Sequence, residues 1–120
     1  MSRDHRKLRV FISADDLVVD VYRASASFPP DERYALQTQM RRAAVSVATN
    51  VVEGCARRTT REYVQFLSVA TGSAAEVQYL LDVSQRLGML NREESSHLGT
   101  RYTELVKGLK KLVASLEYQP

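Results

Sequence analysis

Between residues 98 and 116, Leu98, Tyr102, Leu105, Leu109, Leu112 and Leu116 follow one another at alternating four- and three-residue intervals. A strand, with its period of two, would scatter these side chains over both faces. A helix places all six along one seam. A helix with a single apolar seam must bury it against other helices, so this feature fixes both the local structure and the need for helical partners. Asn91, with Glu94 three residues on, reads as its N-terminal cap.

The rest of the chain supplies three such partners. From about Phe11 to Ser27, the residues Leu17, Val21, Ala24 and Phe28 form one helical stripe. Either Ser13 and Asp16 act as a capping pair or the helix begins a turn earlier, and Phe28-Pro29-Pro30 ends the segment. A second helix is expected from Asp31 or Glu32 to Glu53, with Gly54 as the left-handed residue just past its end. A third starts at Thr59 or Thr60, where Thr59-Thr60-Arg61-Glu62 has the form of a capping box. It runs to about Leu87 and stops at Gly88. Connections of about three to six residues make successive helices antiparallel neighbours. The expected fold is all-α, an antiparallel up-down-up-down four-helix bundle over residues 11–118, preceded by a basic, less ordered lead-in at 1–10.

At 120 residues the chain has room for one domain. Three prolines and five glycines are too few for an all-β protein. No apolar run approaches the roughly 20 residues that span a bilayer, so no membrane role is expected. The start, Met1-Ser2-Arg3-Asp4-His5-Arg6-Lys7-Leu8-Arg9, lacks the apolar stretch of a secretory signal. Cys55 is the sole cysteine, which excludes an internal disulfide and points to a cytoplasmic location.

The second helix departs from a plain bundle. Gln39, Arg42, Ser46, Thr49, Asn50 and Glu53 share one polar arc. Leu36, Met40, Ala43, Val47 and Val51 form the expected core stripe, and Val45, Ala48 and Val52 widen it to roughly 200°, about twice what a surface helix needs. A wide core face would account for part of this, but we read the excess as a subunit interface, with the polar stripe serving assembly or structure. Arg42 and Glu53 stand too far apart to pair, so each is expected to find a partner on another helix or subunit. In the third helix, Gly72 costs about 1 kcal/mol relative to alanine. Close approach of another helix, within the bundle or from a second subunit, would offset that cost.

Five arginines, Arg41, Arg42, Arg57, Arg58 and Arg61, fall within 21 residues against one acid, Glu53, although the whole chain carries only +3. Arginine presents a planar fork of donors suited to phosphate, so these five are the candidate nucleic-acid contacts. Solvation, or pairing with carboxylates of a neighbouring chain, is the alternative. Little aromatic residue is interleaved among them, Tyr63 being the one candidate stacker, so binding to RNA or DNA would be sequence-nonspecific. The glycines form no phosphate-cradling loop. Glu94-Ser95-Ser96-His97 has the form of a bundle di-iron motif, but it occurs once and reads as surface. Cys55 has no base nearby in sequence. No metal, cofactor or enzymatic activity is expected.

The stretches Phe28-Pro29-Pro30-Asp31-Glu32-Arg33-Tyr34-Ala35-Leu36, Gln39-Met40-Arg41-Arg42-Ala43-Ala44-Val45-Ser46-Val47 and Asn50-Val51-Val52-Glu53-Gly54 strongly resemble the family of 23S rRNA intervening-sequence proteins. So do Arg58, Glu62-Tyr63-Val64-Gln65-Phe66-Leu67, Ala70-Thr71-Gly72-Ser73-Ala74-Ala75-Glu76 and Leu87-Gly88-Met89-Leu90. The resemblance covers nearly the whole chain. Two positions depart from it: the family often has proline where Ala48 stands and alanine where Val52 stands. The resemblance implies a bacterial, cytosolic, all-α protein forming a ring-shaped homopentamer. A branch similar in fold, the accessory variability proteins of diversity-generating retroelements, presents a basic surface to nucleic acid and partners a reverse transcriptase. Two functional readings follow. One is a nucleic-acid-binding accessory factor with its basic patch repeated around a ring. The other is an oligomeric scaffold for a protein partner.

Overall fold

The computed structural model describes residues 3–117 and contains four helices: α1 (Arg9–Ser25), α2 (Leu36–Cys55), α3 (Thr60–Arg86) and α4 (Arg92–Glu117). Each packs against the next, and α4 closes back onto α1, giving the expected antiparallel up-down-up-down bundle. Its dimensions are 50 × 22 × 19 Å. The described residues contain no strand, and no helix among them is long and apolar enough to cross a membrane.

The core is built from the stripes read in the sequence. Leu17 and Val21 of α1, Met40, Val47 and Val51 of α2, Leu67, Val77 and Leu81 of α3, and Tyr102 and Leu109 of α4 are fully buried. Each such large side chain contributes about 1.5–3 kcal/mol by leaving water. In the α4 seam Leu98 to Leu109 are buried, whereas Leu112 and Leu116 are half-buried near the end of the bundle.

Local chemistry sets most helix ends. The Asn91 side-chain oxygen accepts from the Glu94 N–H at 2.7 Å. The Thr59 hydroxyl oxygen accepts from the Glu62 N–H at 3.1 Å and donates to the Glu62 carboxylate at 2.9 Å. Gly88 takes a φ of 76°, the left-handed conformation that stops α3.

Three boundaries differ from the sequence reading. Helix α1 begins at Arg9, so Ser13 and Asp16 lie inside it rather than at a cap. Ahead of it the Asp4 carboxylate accepts from the Arg6 N–H at 3.0 Å and caps a 3-10 turn at His5–Lys7. Leu8 and Val10 pack on the core. Residues 3–10 therefore belong to the packed structure instead of forming a loose lead-in. Met1, Ser2 and Tyr118, at the edges of the expected lead-in and bundle, lie outside the described residues.

Helix α2 begins at Leu36, later than expected, because Pro30–Glu32 form a separate 3-10 turn and Ala35 breaks from helical geometry with φ −123° and ψ −104°. At its other end α2 runs on through Gly54 to Cys55. Gly54 is not left-handed. It is buried, and a Cβ there would lie 3.0 Å from Cβ of Phe66 and 3.0 Å from Cδ1 of Tyr63. The position requires glycine because α3 crosses α2 closely there, not because the backbone turns.

Candidate functional site

The antiparallel topology brings the start of α1, the α2–α3 turn and the last turns of α4 to one end of the bundle. Val10 marks this meeting: its Cγ1 lies 3.1 Å from where a Cβ on Gly108 would stand. Seven of the seventeen basic residues gather there: Arg3, Arg6, Lys7 and Arg9 from the chain start, and Arg57, Arg58 and Arg61 from the turn. Only Asp4, Glu53, Glu62 and Glu117 of the fourteen acids accompany them. The net +3 is thus carried by this end, where seven bases meet four acids, while ten bases and ten acids balance over the remainder. Segregation of this size produces a directional field that an even distribution would not.

Within this end the α2–α3 turn is held by side chains from three segments. The Arg3 guanidinium donates to the Arg57 carbonyl at 2.7 Å and lies 4.9 Å from the centre of the Tyr63 ring. The Arg57 guanidinium lies 4.6 Å over Phe66 and pairs with Glu53 at 3.1 Å. Arg58 and Arg61 are exposed and make no hydrogen bond or ion pair among the described residues. Their donors are free for a ligand, whereas those of Arg3 and Arg57 are partly used in fixing the turn.

Arg41 and Arg42 sit elsewhere. They precede Arg57 by about fifteen residues, which is roughly 22 Å of helix. The structure therefore does not join all five arginines into one patch. Arg41 clamps α2 to α1: its Nε donates to the Ser25 hydroxyl at 2.9 Å, its Nη2 to the Tyr22 carbonyl at 3.0 Å, and its guanidinium stacks 4.5 Å over the Tyr22 ring. Arg42 is exposed, without a partner among the described residues. It lines a groove between α2 and α3 with Gln39, Ser46, Ser73 and Glu76.

The polar stripe of α2 is largely satisfied inside the chain. The Ser46 and Ser73 hydroxyls are 2.8 Å apart, joining α2 to α3. Asn50 donates to the Ser46 carbonyl at 2.8 Å, and Gln39 reaches Glu76 at 3.4 Å. Glu53 is exposed and pairs with Arg57 one helical turn on, so it does not need the partner on another helix or subunit that its position implied. Of the residues that widen the apolar arc, Ala48 is buried within the chain, whereas Val45 and Val52 stay half-exposed. Gly72 is exposed with nothing within 4 Å of a built Cβ, so no crossing inside the bundle accounts for it.

Titratable groups at the basic end show no activated nucleophile. Burial pushes the Cys55 thiol up, the reverse of what a reactive thiolate requires. Its sulfur lies 3.9 Å from the Tyr63 hydroxyl, which burial raises to about 12, with Cys55 adding to the shift. Hydrogen bonds from Arg6 hold Asp4 down at about 2. Among the described residues no cluster of His, Cys, Asp and Glu could hold a metal ion.

Arg3, Arg6, Lys7 and Arg9 were missed as part of the site because they are far from the turn in sequence. Arg3 is 54 residues from the carbonyl it grips. The signal was present in the topology: once four antiparallel helices are assigned, the chain start and the end of α4 must flank the α2–α3 turn.

One solved structure shares this fold. It is the crystal structure of a protein of unknown function from the S23 ribosomal protein family of Bacteroides thetaiotaomicron VPI-5482. It superposes with a TM-score of 0.81 over 88% of this chain and 95% of its own, at 19% sequence identity, a likeness of fold. No curated protein matches the sequence. The model of the 23S rRNA-intervening sequence protein family matches residues 6–111, which takes in α1, α2, α3 and most of α4. By that match across most of its length, the chain belongs to the 23S rRNA-intervening sequence protein family.

Proposed function

We propose that this protein is a non-enzymatic, sequence-nonspecific nucleic-acid-binding accessory factor that acts as a homo-oligomer, most simply a pentamer. The observation that carries the reading is the concentration of seven basic residues against four acids at one end of the bundle, with Arg58 and Arg61 exposed and unpaired among the described residues. Arginine forks suit phosphate, and each contact releases condensed counterions. Oligomerisation would repeat the patch and multiply the field. The half-exposed Val45 and Val52 and the uncovered Gly72 support a subunit contact along α2 and α3.

Two measurements test the reading. Light scattering at micromolar concentration should return a multiple of 13.5 kDa, and the monomer mass would sink the assembly. Electrophoretic shift of RNA and DNA should weaken steeply with salt; absence of any shift at 50 mM salt would sink the nucleic-acid role.

A second reading, a scaffold for a protein partner, draws on a different surface. Tyr34, Val69, Tyr79 and Leu87 are apolar side chains more than half exposed, on segments away from the basic end. On that reading the arginine turn is a solvated loop, and removing its charges leaves partner capture intact.

A further inference from the structure

We infer that the basic end takes double-helical nucleic acid in preference to single strands, an inference that rests on the nucleic-acid reading above. Sequence-nonspecific single-strand binders combine a cationic groove with aromatic rings on which bases stack, and each stacked base adds about 1–3 kcal/mol. At this end the rings are already occupied. Tyr63 is buried and lies under the Arg3 guanidinium at 4.9 Å. Phe66 lies under Arg57 at 4.6 Å. Phe11 meets the His5 ring edge-on, with centroids 4.7 Å apart. The exposed rings, Tyr22, Tyr34 and Tyr79, belong to the less basic remainder of the bundle. Among the described residues, then, the basic end offers charge without a stacking platform. Tyr118 lies outside those residues and is controlled by a variant below.

The distribution of charge favours the same partner. Exposed cations come from two separate stretches, Arg6 to Arg9 and Arg57 to Arg61, across a bundle 22 × 19 Å in section. Over roughly 20 Å of its axis a duplex displays about twice as many phosphates as one strand, because its charges recur every ~1.7 Å instead of ~3.4 Å. A broad cationic end matches that density better than it matches a thin thread. Each contact also releases more counterion from a duplex, about 0.9 against about 0.7. For about five contacts at ~0.1 M salt, this difference alone favours the duplex about tenfold.

The test measures fluorescence anisotropy of the wild-type protein with 20-base-pair DNA and RNA duplexes. Unstructured oligo-dT and oligo-U of twenty nucleotides serve as single strands, all in 0.1 M salt. Both duplexes should bind about tenfold more tightly than either single strand, and Tyr118→Ala should leave the single-strand affinity unchanged within twofold. Equal or tighter binding of single strands overturns the inference and leaves the nucleic-acid reading standing. So does a Tyr118→Ala variant that loses single-strand binding, since it would reveal a stacking ring. Failure of all four probes to bind overturns both.

Discussion

Replacing Gly54 with alanine adds one methyl group at a close crossing of α2 and α3. The new Cβ would lie 3.0 Å from Cβ of Phe66, 3.0 Å from Cδ1 of Tyr63 and 3.3 Å from the Tyr63 carbonyl. Carbon atoms prefer about 3.5–4.0 Å. The Tyr63 ring can rotate a little, but the Phe66 Cβ and the carbonyl are fixed to the α3 backbone, so relief requires the two helices to separate. Overpacking of this kind costs about 1–3 kcal/mol, and a contact against backbone belongs near the upper end. Alanine is the better helix former by about 1 kcal/mol, which offsets part of the cost. The net expectation is a loss of about 2 kcal/mol, or about 8 °C in melting temperature for a chain of this size. Gly99→Ala is the matched control. That glycine is also mid-helix, but nothing stands within 4 Å of its added Cβ. It should gain about 1 kcal/mol, or about 4 °C. Thermal melts followed by circular dichroism, at one fixed protein concentration, read both signs. If Gly54→Ala melts at or above the wild-type temperature, the close-packing argument for that crossing is wrong.

Other side chains give further expectations. Arg41→Ala should destabilise by about 1–3 kcal/mol in urea unfolding, because it removes two hydrogen bonds to α1 and the stack on Tyr22, whereas binding to nucleic acid should change little. Glu53→Ala should cost less than about 1 kcal/mol in the same assay, since its partner Arg57 is exposed. Asp4 should titrate by NMR near 2 instead of 3.8. Its folded value lies below its unfolded one, so its support for the first turn is present above about pH 4 and is lost as pH falls toward 2, seen as faster exchange of the Lys7 and Leu8 amides.

The sequence was most legible where a local device had a single meaning. The 4-3 spacing from Leu98 onward, the Asn91 and Thr59 caps and the Gly88 stop each correspond to one structure, and each stands where it was read. Gly54 was misread because a glycine after an apolar helix has two causes, a left-handed end or a close crossing. Only the position of Phe66 and Tyr63 distinguishes them. The start of α2 was obscured because acids after Pro30 suit a 3-10 turn as well as the first turn of an α-helix. The arginines illustrate a different limit. Proximity in sequence grouped Arg41 and Arg42 with the turn, yet about fifteen residues of helix separate them from it. Charges at the start of the chain, which share the turn's end of the bundle, were left out because linear spacing carries no information on tertiary neighbours.

The most direct test of the account is a pair of charge-matched variants. Arg58→Glu with Arg61→Glu reverses charge at the basic end. Arg33→Glu with Arg92→Glu makes the same change in net charge at the opposite end, also at exposed positions. Binding to a 20-base-pair duplex is then measured from 50 to 200 mM salt. The first variant should lose at least about fiftyfold in affinity at 0.1 M salt, and its log–log salt slope should fall by about two contacts' worth, ~1.8. The second should bind within about threefold of wild type with an unchanged slope. Equal losses in the two variants would mean that net charge, and not the basic end, drives binding, and would contradict the account.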